Sequence, residues 1–94
     1  MNRELITDEA LAAAMKTLDG DWTAEENKLR RHFKFVNFGE ALDFVNRVGD
    51  DAEAADHHPD ICFGWGYANI ELTTHDRGGI TDLDIALAQR IDSL

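Results

Sequence analysis

Three of the four histidines lie in the carboxyl-terminal half of this 94-residue sequence, among acidic side chains. His57 and His58 are adjacent, and His75 follows a predicted strand. Imidazole exchanges protons near neutral pH, and neighbouring carboxylates favour its protonated form. The segment therefore has the residue types for general acid and base chemistry, although each histidine taken alone is more often structural.

Glu53 lies four residues before His57, in an alanine-rich stretch that predicts a helix. Residues at this spacing share one helix face, so the carboxylate could orient the imidazole and raise its basicity. Adjacent histidines at a helix end can also cap carbonyl groups or face solvent. The local pattern leaves both interpretations open.

Zinc binding is the main chemical alternative, because three histidines can hold a catalytic zinc ion. Neighbouring helical residues point ~100° apart, however, so His57 and His58 are poorly placed to bind one ion together. Zinc-binding helices typically place two histidines four residues apart. The spacing therefore favours proton transfer without a metal.

The composition restricts the class of partner and the cellular location. A net charge of −10 would repel phosphate backbones, so we expect no direct nucleic-acid binding. No apolar run approaches the ~18–20 residues of a membrane span, and the first residues lack the apolar stretch of a signal peptide. Cys62 is the single cysteine and cannot close an internal disulfide. We therefore expect a cytoplasmic protein with no membrane span, in which Cys62 is a small buried residue.

The pattern of apolar residues predicts one domain over residues 1–94. Helices are predicted over 8–18, from 37 to just before Pro59, and from a cap at 81–84 onwards. Strands are predicted over 28–36, 61–65 and 68–74. Because a residue before proline is pushed out of helical geometry, the second helix should release the chain near His57. The order predicts an α+β domain with helices on one face of an antiparallel sheet.

A set of spaced residues resembles the signature of the pterin-4a-carbinolamine dehydratases. The set reads Glu53-x3-His57-His58-Pro59-x5-Trp65-x9-His75-x8-Asp84. The resemblance extends outward to Trp22, the strand around 33–35, the helix over 38–47 and the turn over 73–79. It covers roughly residues 7–92, which makes it far more specific than a single short motif.

The resemblance implies a fold, a reaction and an assembly. The fold is a four-stranded antiparallel sheet with three helices packed on one face, in a homodimer or homotetramer. The reaction removes water from a 4a-hydroxytetrahydropterin to give the quinonoid dihydropterin, without a metal or an organic cofactor. The activity recycles the pterin cofactor of aromatic amino acid hydroxylases. The alternative is a non-enzymatic pterin-binding or protein-dimerisation module.

The resemblance also implies roles for individual residues. His57, His58 and His75 would surround the pterin, with His57 and His75 as the acid and base pair and His58 positioning the substrate. Glu53 and Asp84 would orient the imidazoles or tune their basicity. The other expected pocket residues are Asp56, Thr73, Thr74, Asp76 and Trp22, of which Trp22 is equally compatible with an ordinary core position.

Overall fold

A computed structural model describes residues 3–94 and contains one four-stranded sheet with three helices. The elements are α1 (Asp8–Met15), β1 (Thr23–Glu25), β2 (Lys28–Lys34), α2 (Phe38–Ala55), β3 (Asp60–Gly64), β4 (Tyr67–Leu72) and α3 (Asp82–Asp92), with a 3-10 turn (His75–Arg77) before α3. The strands follow the spatial order β1-β2-β4-β3, and all three pairings are antiparallel. This is the predicted α+β fold.

Side-chain caps fix the points at which the helices begin. Thr7 accepts a hydrogen bond from the Ala10 amide at α1, and Asn37 accepts one from the Glu40 amide at α2, which places both caps at the predicted helix starts. At α3, Thr81 and Asp84 form a reciprocal capping box. The caps satisfy amide groups that have no partner within the helix.

The end of α2 decides where the paired histidines lie. Asp56 adopts a left-handed conformation (φ 50°, ψ 42°), and its amide bonds back to the Glu53 carbonyl. The next amide, of His57, bonds back to the Ala52 carbonyl at 3.1 Å, which completes a helix-terminating motif. The helix therefore stops at Ala55, and both histidines belong to the non-helical segment before β3.

Alternation along the strands builds the core on one face of the sheet. Leu29, Ile70 and Leu72 are fully buried on that face. They pack in one cluster with apolar side chains of α2 and α3, namely Val48, Ala52, Ile85, Leu87, Ala88 and Ile91, and residues of α1 contact the cluster at its edge. The three helices therefore cover a single face. Within residues 3–94, no helix is long and apolar enough to cross a membrane.

Two features of the sheet differ from the expectations drawn from the individual residues. Strand β1 was not predicted from them, since its three exposed residues are too few for alternation to show. It joins β2 through a turn in which Glu26 and Asn27 both have positive φ, as a tight hairpin requires. The expected burial of Cys62 is wrong, because Cys62 is paired with Asn69 on the face that no helix covers.

Candidate active site

A cavity of about 270 Å³ contains the three histidines singled out from the sequence. His57 and His58 come from the segment after α2, and His75 comes from the 3-10 turn after β4. The other residues that line it are Arg3, Asp56, Thr73, Thr74 and Asp76. The fold thus brings Arg3 of the amino-terminal segment together with residues from two later segments, 56–58 and 73–76.

His57 is the most buried of the three histidines, with an exposed fraction of 8%. Its Nε2 atom lies 2.6 Å from Oδ1 of Asp84, a carboxylate with no exposed surface. An ionised carboxylate can only accept hydrogen bonds, so this contact places a hydrogen on Nε2. The Nδ1 atom is then the one that can exchange a proton with a ligand.

A chain of hydroxyl groups holds Asp84 in this orientation. Its Oδ2 atom accepts hydrogen bonds of 2.9 Å from the Thr74 hydroxyl and from the Thr81 amide. The two threonine hydroxyls are 2.7 Å apart, and because Thr74 donates to Asp84, Thr81 donates to Thr74. Thr81 in turn accepts from the Leu83 amide. The buried carboxylate is stabilised by hydrogen bonds on both oxygens, as a buried charge requires.

Glu53 binds His58, which corrects the pairing with His57 drawn from the sequence. The Glu53 Oε2 atom accepts a hydrogen bond from His58 Nε2, and both side chains are largely exposed. Glu53 and His57 do not share a helix face, because the helix ends before His57 and the left-handed Asp56 redirects the chain. Glu53 still has an imidazole as its partner.

His75 has a carboxylate partner that the sequence did not indicate. Its Nε2 atom lies 3.4 Å from Oδ2 of Asp60, the first residue of β3. Asp60 follows Pro59 directly, and its alternating position in the strand predicts only an outward-facing side chain. Strand register would suggest the contact between Asp60 and His75 only if the position of the 3-10 turn were already known.

Arg3 lines the cavity and is a further residue that the sequence did not indicate. Its Nη2 atom donates to both carboxylate oxygens of Asp76, at 2.6 and 2.5 Å. The hydrogen bond and charge of the guanidinium hold the pKa of the Asp76 carboxyl below its usual range. The amino-terminal segment reaches this position because Leu5 bridges to Thr81 and the Ile6 amide donates to the Ile80 carbonyl.

Trp22 lies in the core and is not among the described residues that line the histidine cavity. It is 3% exposed, and its Nε1 atom donates to Oδ1 of Asp92 at 2.6 Å. Asp92 also accepts from Arg31 at 2.7 Å and from the Asp19 amide. The structure favours the core alternative for Trp22 over a role at the pocket wall.

A larger cavity, of about 550 Å³, lies on the uncovered face of the sheet. It contains one histidine, His32, which hydrogen-bonds Asn69, and its Arg30 already pairs with Glu71 at 2.7 Å. No group of three or more His, Cys, Asp or Glu side chains in residues 3–94 is arranged to hold a metal ion. We place the candidate active site in the smaller cavity, because three histidines line it whereas one lines the larger cavity.

Comparison with known proteins assigns the chain to a protein family. The family model described as pterin 4 alpha carbinolamine dehydratase matches residues 4–94. The chain belongs to this family. The matched segment includes Glu53, His57, His58, His75 and Asp84, so the histidines and carboxylates that carry the resemblance either line the cavity or pair with a histidine in it.

Individual members of the pterin-4a-carbinolamine dehydratase family are similar over most of the chain. A protein of Rubrobacter xylanophilus, provisionally named as such a dehydratase, is 51% identical over 86 residues, which are 92% of this chain and 80% of the relative. The crystal structure of a Brucella melitensis transcriptional coactivator/pterin dehydratase has a TM-score of 0.89 and 29% identity, covering 96% of this chain and 97% of that one.

A pterin dehydratase-like protein described as a RuBisCO assembly factor of the alpha-carboxysome is a more distant structural neighbour. Its TM-score is 0.63 and its identity 25%, covering 77% of this chain and 83% of that one. The family and the name of the Rubrobacter relative support pterin carbinolamine dehydratase activity for this chain. The assembly factor indicates that the fold also occurs in a protein described by another role.

Proposed function

We propose that the protein dehydrates 4a-hydroxytetrahydropterin to the quinonoid dihydropterin by histidine general acid and base catalysis. One observation carries the proposal: three imidazoles line one cavity, and each faces a different carboxylate through its Nε2 atom. This arrangement leaves the Nδ1 atom of each ring to exchange protons with a ligand.

The reaction needs one proton donor and one proton acceptor. The donor protonates the departing 4a-hydroxyl as the C4a–O bond breaks, and the acceptor takes the proton from ring N5. The N5 lone pair expels the hydroxyl, so the products are water and the quinonoid dihydropterin. Each positioned proton-transfer group contributes ~10²–10⁴-fold to such a rate. The proposal includes no metal and no organic cofactor.

His57 and His75 are the proposed acid and base pair, and His58 positions the substrate. Asp84 stabilises the imidazolium form of His57 whenever that ring holds two protons, because its negative charge is buried beside Nε2. His58 is exposed and joined to an exposed Glu53, which suits substrate contact at the cavity rim.

Four further residues are proposed to contact the pterin: Asp56, Thr73, Thr74 and Asp76. The Thr74 hydroxyl is engaged with Asp84, and the Thr73 hydroxyl donates to the Asn27 carbonyl at 2.9 Å. The Thr74 amide and carbonyl are also bonded within the turn, so the Thr73 backbone is the better candidate for contact with the flat heterocycle.

The decisive experiment follows the absorbance of synthetic 4a-hydroxytetrahydropterin with purified protein. We expect the protein to accelerate its loss, and His57→Ala to lower kcat by ~10²–10⁴-fold. His32→Ala is a matched control on the uncovered face of the sheet and should keep the wild-type rate. Equal rates for wild type, His57→Ala and buffer would contradict the proposal.

A non-enzymatic binding module is the second candidate, and large exposed apolar side chains favour it. They include Val36, Phe38, Leu42 and Trp65, with exposed fractions of 72%, 44%, 38% and 71%. Large exposed apolar side chains mark protein contact surfaces. We propose that these contribute to the interface of a homodimer or homotetramer. Light scattering would detect such an assembly. A stable complex with another protein that survives replacement of all three histidines, without any dehydratase rate, would favour the second candidate.

The proposed physiological role is recycling of the pterin cofactor of an aromatic amino acid hydroxylase in the cytoplasm. The free, exposed thiol of Cys62 supports a reducing compartment. In a coupled assay with limiting pterin, the protein should raise the sustained hydroxylase rate. A hydroxylase rate that does not change on addition of an active dehydratase preparation would separate the enzyme from this pathway.

A further inference from the structure

The turn that carries His75 has a fixed backbone but leaves the imidazole exposed. The backbone of its turn is fixed by hydrogen bonds, including Thr74 amide to Gly79 carbonyl at 2.8 Å and Arg77 amide to Thr74 carbonyl at 2.9 Å. The side chain itself is 66% exposed. Its orientation therefore depends on whatever contacts the imidazole from outside the turn.

Asp60 is the carboxylate that makes this contact. It lies at the start of β3, two residues after His58, and its Oδ2 atom is 3.4 Å from His75 Nε2. Glu71 is its register partner in β4 and pairs with Lys28 and Arg30 instead. Lys28 and Arg30 thus pair with Glu71, whereas Asp60 pairs with the imidazole of His75.

The contact repeats the pattern of the other two pairs. His57 and His58 each present Nε2 to a carboxylate, and His75 does the same. A separation of 3.4 Å is long for a hydrogen bond, and catalytic hydrogen bonds are often long without substrate and tighten in its complex.

We propose that Asp60 is a positioning residue for His75. Asp60 accepts the Nε2 hydrogen, selects that tautomer, and directs Nδ1 into the cavity where the pterin would bind. The strand that follows His57 and His58 thereby also fixes the third histidine. The expected effect of Asp60 on catalysis rests on the proposed function, but its expected effect on the His75 tautomer does not.

The test compares Asp60→Ala, Asp60→Glu and the control Glu71→Ala. Glu71 lies opposite Asp60 on the same face of the sheet, and its carboxylate pairs with Lys28 and Arg30. We expect Asp60→Ala to lower kcat ~10-fold or more with a smaller change in KM, because the substrate pocket remains while proton transfer is misaligned. Asp60→Glu should restore most of the rate, and Glu71→Ala should keep it.

Side-chain ¹⁵N NMR of His75 gives a readout that needs no activity. The wild-type ring should show predominantly the Nε2-protonated tautomer when neutral, and Asp60→Ala should show a mixture. Thermal unfolding confirms that each variant is folded. An unchanged tautomer together with an unchanged kcat in Asp60→Ala would overturn the inference. If wild type lacks dehydratase activity, the proposed function fails, and the tautomer comparison alone decides whether Asp60 positions His75.

Discussion

His57 and Asp84 are 27 residues apart in the chain and are joined by a buried hydrogen bond of 2.6 Å between Nε2 and Oδ1. The bond links the segment that leaves α2 to the first turn of α3. The Asp84 carboxylate thereby binds the His57 imidazole and also caps α3, by accepting a hydrogen bond from the Thr81 amide. The stability of that helix start and the orientation of the imidazole depend on one side chain.

Asp84→Asn should lower kcat by at least ~10²-fold. The amide keeps the size of the side chain, but it carries no negative charge to stabilise the imidazolium form of His57. Steady-state dehydratase kinetics would measure the effect. Asp82→Asn is the matched control, because Asp82 is an exposed acid in the same first turn of α3. Equal kcat values for the two variants would contradict a role for Asp84 in catalysis.

Thr74→Val should destabilise the protein by about 1–3 kcal/mol. The substitution keeps the shape of the side chain but removes the donor to Asp84 and the acceptor for the Thr81 hydroxyl, both of which are buried. Denaturant unfolding would measure the loss. A free energy of unfolding equal to that of wild type would show that the hydroxyl chain contributes nothing to stability.

Glu53→Gln should raise KM with little change in stability. The pair of Glu53 with His58 is exposed, and exposed ion pairs contribute less than about 1 kcal/mol. Because His58 is proposed to position substrate, loosening its ring should weaken binding more than turnover. Kinetics and thermal unfolding of the variant, beside Asp43→Asn as a second exposed acid of α2, would separate the two effects. A fall in kcat at constant KM would instead place His58 in proton transfer.

Arg3→Ala should raise the pKa of the Asp76 carboxyl towards its usual range, because the hydrogen bond from Arg3 is the main cause of its lowering. A carboxyl whose pKa is lower in the folded than in the unfolded state stabilises the fold above its unfolded pKa, and this contribution disappears as pH falls through the folded value. A ¹³C NMR titration of the carboxyl would measure the shift. Arg3→Lys should retain part of the lowering, and an unchanged titration in Arg3→Ala would contradict the pairing.

Trp22→Phe should lower stability by about 1–2 kcal/mol while kcat and KM stay at wild-type values. The phenyl ring retains most of the buried apolar surface, but the hydrogen bond to Asp92 is lost. Asp92 keeps its contact with Arg31, which limits the cost. A raised KM in a variant of near wild-type stability would indicate that Trp22 contacts the substrate after all.

Local rules predicted much of the architecture. The caps at Thr7, Asn37 and Thr81 gave the helix starts, since a capping side chain acts on amides within three residues. Alternation gave β2 and β4 to within two residues at their ends. The same rules did not predict strand β1 or the exposure of Cys62. Both depend on which strand lies alongside, and no local sequence pattern identifies that strand.

By itself, the sequence determined the class of fold, the family and the three histidines with most of their neighbours. The fixed spacing from Glu53 to Asp84 needs no knowledge of contacts. Only the tertiary structure decided which carboxylate serves which imidazole. The left-handed residue at the end of α2 allows Glu53 to contact His58. The position of β3 places Asp60 beside His75. The bridge between Leu5 and Thr81 places Arg3 beside Asp76. These pairings depend on directions set by helix ends and strand register, and no sequence spacing encodes such directions.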